Sequence, residues 1–154
     1  MAARLIRAGM LTALVDGLFS GVLSAVFYGS TVARLFQGVA ATAFGAGAFG
    51  GGNRLTLVGV LMHVTVAFTW SAIFLIAYER SAWLRRVTGS PFGVFKVATM
   101  YGPLIWVVMS MVVIATLTGR APAITVRWWI QFFGHVFFVG LPIVSTIVDR
   151  RPTR

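Results

Sequence analysis

The sequence predicts an all-α, polytopic membrane four-helix bundle, and three observations carry that reading. Hydrophobic residues make up 58% of the 154 residues and charged residues only 10%. A soluble domain carries about 25% charged residues, so this chain cannot clothe a water-facing surface. Apolar runs long enough to cross a bilayer, which takes roughly 20 residues, recur four times. The charges gather between those runs, 13 Lys+Arg against 3 Asp+Glu for a net +10. In a soluble chain that excess would suggest nucleic acid. Here the cations sit at span ends and report topology, so the partner is the lipid bilayer and not nucleic acid. The absence of cysteine excludes disulfide frameworks, Fe–S clusters and thiolate zinc sites. The length fits one integral membrane domain over 1–154.

The first span is expected at about residues 5–28. Arg4 and Arg7 precede it, as in a signal peptide. The apolar run is longer than a signal's core, however, and Asp16 interrupts it, which argues against cleavage. Thr12, Asp16, Ser20 and Ser24 recur every four residues, beside a row of Ala13, Gly17, Gly21 and Ala25. Residues four apart share a helix face. Small rows let helices approach closely in lipid, so this side should face protein, within the chain or in a homodimer.

Residues 31–50 are rich in Ala and Gly and open with Ser30 and Thr31, plausible helix caps. Phe36, Val39, Ala43 and Gly47 follow helical spacing. The segment is either a fifth span or an interfacial or re-entrant helix between spans 1 and 2. Charge favours the second. Four spans with both termini cytoplasmic put Arg4, Arg7, Arg80, Arg85, Arg86, Lys96, Arg150, Arg151 and Arg154 inside. Only Arg34, Arg54, Arg120 and Arg127 are then outside. A fifth span would export Arg80–Lys96 against the positive-inside bias. The glycine tract Gly50–Gly52 lacks the GKS/T ending of a P-loop.

The second span is expected at about 55–78, with Thr56, Gly59, His63, Ala67 and Trp70 along one face. A cytoplasmic loop follows, anchored by Trp83 and broken at Ser90-Pro91. The third span, about 94–117, contains Tyr101-Gly102-Pro103, where a kink is expected. Trp106 and Ser110 share the Gly102 face. The fourth, about 126–148, opens with Arg127, Trp128 and Trp129 at the outer interface. Gln131, His135 and Pro142 share a face, and Gly140-Leu141-Pro142 should bend it. No internal repeat supports a transporter-like duplication.

Asp16, His63 and His135 are ionisable groups at membrane depth. Such groups cost about 2.5–3.5 kcal/mol at a span centre and are functional candidates for that reason. At about 1.5 Å per residue, His63 lies about 12 Å and His135 about 13–15 Å from the outer ends of their spans. Asp16 approaches the same level from the other side. With Tyr101 and Gln131 they form the expected intramembrane polar cluster, in which Asp16 accepts from an imidazole, Tyr101 or Ser110. The blandest role for it is to fix packing, at about 0.6 kcal/mol per pair. A sharper one is proton or cation handling by Asp16, His63 and His135. Another is a haem b with His63 and His135 as axial ligands. Phe132, Phe133 and Phe138 would then pack the macrocycle, and Arg34 or Arg127 would meet its propionates. No GxSxG or HExxH motif occurs, and three ligands from three helices without a spacing signature argue weakly for metal.

Several motifs are familiar together. They are Phe36-Gln37-Gly38 through Phe49-Gly50-Gly51, then Val58-Gly59-Val60-Leu61-Met62-His63. Tyr101-Gly102, Met109, Val112-Val113 and His135 follow, and then Val139-Gly140-Leu141-Pro142-Ile143. The chain resembles, from about residue 12 onward, a group of small, uncharacterised bacterial inner-membrane proteins with four spans. The group's usual Pro-Leu-Ser after the third span is replaced here by Ile114-Ala115-Thr116. The resemblance implies a bacterial cytoplasmic (inner) membrane location and no catalytic residue. The sequence therefore leads to a non-enzymatic structural or interaction subunit, with a homo-oligomer or membrane-protein partner. A small transporter or proton-relay component is the first alternative and a bis-His haem b electron carrier the second.

Overall fold

The computed structural model describes residues 1–148, and every regular element in them is helical. Asp149, Arg150, Arg151 and Arg154, expected at a cytoplasmic C-terminus, lie outside the described residues. Among the described residues four helical stretches are long and apolar enough to cross a membrane: Ala2–Phe27, Gly52–Arg80, Gly93–Thr118 and Val126–Ile147. The chain is a polytopic, all-α membrane protein of four spans.

Helix α1 (Ala2–Val22) continues through a π-helical turn, Leu23–Phe27. Thr12, Ala13, Gly21, Leu23 and Ser24 are buried on one side of it, and Leu14, Leu18, Val22 and Val26 are exposed on the other. Most of the small and polar rows thus faces the chain's own interior, while Ala25 is exposed.

Helix α2 (Val32–Phe44) is capped by Thr31, whose Oγ1 accepts from the Arg34 N–H at 3.1 Å. It is shorter than the expected 31–50. Gly45, at φ 73°, breaks it, and a short 3-10 turn, Ala46–Gly50, follows. L-residues disfavour that backbone region and glycine does not. The helix lies along α3 (Gly52–Arg80), where Gly59 makes room for it. A Cβ on Gly59 would fall on the Phe36 carbonyl.

The region expected as a loop contains a further helix, α4 (Ala82–Thr88), capped by Ser81 Oγ accepting from the Leu84 N–H. Trp83 is exposed on it. The third span is α5 (Gly93–Val107), a π-helical stretch Val108–Ile114, and α6 (Ala115–Thr118). The fourth is α7 (Val126–His135), a π-helical turn Val136–Gly140, and α8 (Leu141–Ile147), with Pro142 in the first turn of α8. Proline fits a first turn because its missing N–H is not needed there. Pro142 directly follows the π-helical turn Val136–Gly140, whereas α5 runs unbroken through Pro103, where a kink is expected, and the π-helical stretch begins only at Val108.

The fourth span is the centre of the bundle: half of it is buried, against 22–28% of the others. It packs on spans 1 and 3, and its α8 end also meets α3. Spans 3 and 4 cross on reciprocal glycines. A Cβ on Gly102 would fall on the His135 carbonyl oxygen, and one on Gly140 would lie 2.5 Å from that of Ala98. In lipid, such backbone approach replaces the hydrophobic drive between helices.

The dry core fills one end of the bundle, where Ala8, Phe74, Tyr78, Ala98, Ile143 and Ile147 interlock. At this end Arg4 bonds Glu79 at 2.6 Å and the Ile147 carbonyl at 3.2 Å, clasping spans 1, 2 and 4. The other end, where α2 lies, is not filled.

Candidate functional site

The unfilled half of the bundle holds a cavity of about 330 Å³. Spans 1 to 4 and α2 all contribute to its wall. Asp16, His63, Gln131 and His135 line it, so four of the five residues expected to cluster do meet around one space.

His63 reaches the wall from α3 across Gly17. A Cβ there would already touch the ring at 3.4 Å. His63 Nε2 lies 3.0 Å from the Ala13 carbonyl oxygen. A carbonyl can only accept, so Nε2 carries the hydrogen. The other nitrogen, Nδ1, faces Asp16 Oδ2 at 3.9 Å, too long for a hydrogen bond. Phe36 of α2 meets the imidazole edge-on at 5.8 Å.

His135 is buried on α7, with Nδ1 2.7 Å from the Gln131 carbonyl oxygen one turn earlier. That contact fixes the ring, and Trp106 packs on it with centroids 4.9 Å apart. The Gln131 side chain donates from Nε2 to Ser20 Oγ at 3.4 Å, joining spans 4 and 1.

Tyr101 stands apart from this group. Its hydroxyl donates to the Trp70 carbonyl at 2.7 Å, and its ring packs on Phe74 at 4.9 Å in the dry core. Tyr101 is not in the cavity wall. Ser110 does not line the cavity with Asp16 either; its Oγ accepts from Trp128 Nε1 at 3.2 Å. Trp128 is consequently buried rather than an interfacial anchor, and Trp129 beside it is exposed.

Four residues of the cavity wall each keep a fully buried side-chain polar atom without a hydrogen-bond partner: Thr12 Oγ1, Asp16 Oδ1, Trp106 Nε1 and Gln131 Oε1. Unpaired polar atoms away from water cost about 1–3 kcal/mol each, so such a concentration at one place asks for an explanation. Trp106 is the member that sequence reasoning did not single out. Its spacing from Gly102 and Ser110 marks the face, but only the packing of spans 3 and 4 turns that face inward.

The residues around the cavity do not fit a haem between His63 and His135. His63 Nε2 is occupied by Ala13. Phe138 stacks on Phe19 at 4.1 Å, Phe132 stacks on Trp128, and Phe133 is exposed. Arg34 lies over Phe49 and Arg127 over Tyr28, neither in the cavity wall. Among the described residues no group of three His, Cys, Asp or Glu side chains could hold a metal ion.

No family model matches the chain, and no curated protein or solved structure matches it.

Proposed function

We propose that the chain is a non-enzymatic integral membrane protein that acts through its interior cavity. One observation supports this above the others: Asp16, His63, Gln131 and His135 arrive from three spans at one space where polar atoms go unpartnered. A cluster meant only to hold helices together would pair those atoms, because unpaired ones weaken the fold. Leaving them open is a cost characteristic of working sites. Replacing Asp16 with leucine distinguishes the two roles. Thermal unfolding in detergent should show Asp16→Leu as stable as the wild-type chain or more so. A loss of more than about 1 kcal/mol would mark Asp16 as a structural tie and return the chain to the role of a plain structural or interaction subunit.

The cations support an orientation. Arg4, Arg7, Arg80, Arg85, Arg86 and Lys96 lie towards one end of the bundle, and Arg34, Arg54, Arg120 and Arg127 towards the other. The positive-inside rule puts the first end in the cytoplasm. Helix α2, more apolar on one face than the other, then lies at the outer boundary of the membrane. In a bacterium this would be the inner membrane. Reporter fusions in the 81–92 loop should read cytoplasmic and fusions at Gly47 external; the reverse pattern would overturn the orientation.

The Asp16–His63 contact favours a second reading, a proton relay across the cavity. Vesicles carrying the protein and a trapped pH dye should then equilibrate an imposed gradient faster than empty vesicles. Asp16→Asn should remove the difference, and equal rates for wild-type and empty vesicles would rule the relay out.

A further inference from the structure

We propose that the cavity takes a small organic cation, an ammonium group carried on an apolar or aromatic body. This rests on the cavity being the working part of the protein and names the ligand class it suits. Acceptors dominate the unpartnered atoms: Asp16 Oδ1 and Gln131 Oε1 can only accept, and Thr12 Oγ1 can do either. Trp106 Nε1 is the single obligatory donor among them. No Arg or Lys lines the space, so no fixed guanidinium or ammonium offsets Asp16 there. The two imidazoles of the cavity wall have each committed one nitrogen, His63 to Ala13 and His135 to Gln131. The remaining wall includes the aromatic residues Trp70, Trp106 and Phe36, and a ring face within reach of a cation attracts it through the ring quadrupole. Met109, Val66 and Leu35 offer apolar cover for the ligand's body. The volume of about 330 Å³ is at the small end of ligand pockets, about 300–1,000 Å³. An anion would meet one donor and a carboxylate. A wholly apolar guest would leave every polar atom as it is.

Benzylammonium and its neutral carbon isostere, ethylbenzene, separate the charged donor from shape. Each is titrated into the full chain in lipid nanodiscs and followed by tryptophan fluorescence, which Trp70 and Trp106 report from the cavity wall. The cation is expected to give a saturable change, at least about tenfold tighter than the isostere and at least about tenfold weaker in Asp16→Asn. If both probes saturate alike and Asp16→Asn is unchanged, the cation assignment is overturned while the cavity remains a binding site. If neither probe saturates, the cation assignment is overturned and binding at the cavity loses its support. Should Asp16→Asn fail to fold, the comparison of the two probes on the wild-type chain decides by itself.

Discussion

Asp16 Oδ2 and His63 Nδ1 stand 3.9 Å apart across the contact of the first two spans, held there by the hydrogen bond from His63 to Ala13. Gly17 lies beside the imidazole: a Cβ there would be in ordinary contact with Nε2 at 3.4 Å, leaving little room for a larger side chain.

Gly17→Val should push the ring off Ala13 and destabilise the bundle by about 1–3 kcal/mol, the usual cost of overpacking. Gly47→Ala, with ordinary φ and nothing within 4 Å of its Cβ, should stay within about 0.5 kcal/mol. Thermal unfolding of both variants in one detergent tests the pair. Equal stabilities would mean that His63 is not held as described.

Gly102→Leu and Gly140→Leu should each prevent spans 3 and 4 from closing. The added atoms meet backbone, which cannot swing aside as a side chain can. A loss above about 3 kcal/mol is expected, read as failure to elute as a monodisperse species. Normal elution of either variant would contradict the crossing.

Tyr101→Phe removes the hydroxyl that bonds the Trp70 carbonyl. The expected loss is about 1 kcal/mol, with ligand binding at the cavity unaltered because Tyr101 does not line it. A change in binding larger than the change in stability would place Tyr101 in the site after all.

Arg4 and Glu79 are each about one-third exposed, so solvent weakens their attraction. A double-mutant cycle with Arg4→Ala and Glu79→Ala should give a coupling of about 0.2–1 kcal/mol that shrinks in high salt. Arg4→Ala should cost more than Glu79→Ala, since Arg4 also serves the Ile147 carbonyl. No coupling at low salt would remove the clasp.

The spans were legible from the chain alone because lipid demands long apolar helices and pushes charge to their ends. The ends of the four long apolar helices fall within a few residues of the expected span ends, and Thr12, Ala13, Gly21 and Ser24 of the small and polar rows are buried while Ala25 is exposed. Depth counting likewise put His63 and His135 at a common level. Four of the five polar residues joined for that reason.

Packing between elements decided the rest. Whether Tyr101 points to the cavity or to Trp70, whether Trp128 anchors or is buried, and where Arg4 finds its partner all depend on helix rotation. Rotation is set by contacts between residues far apart in the chain, as with Gly102 against His135. Helical periodicity says which residues share a face, but not which neighbour that face meets. The cavity exists because α2 and the four spans leave one end of the bundle incompletely filled, and no local pattern in the sequence records that space.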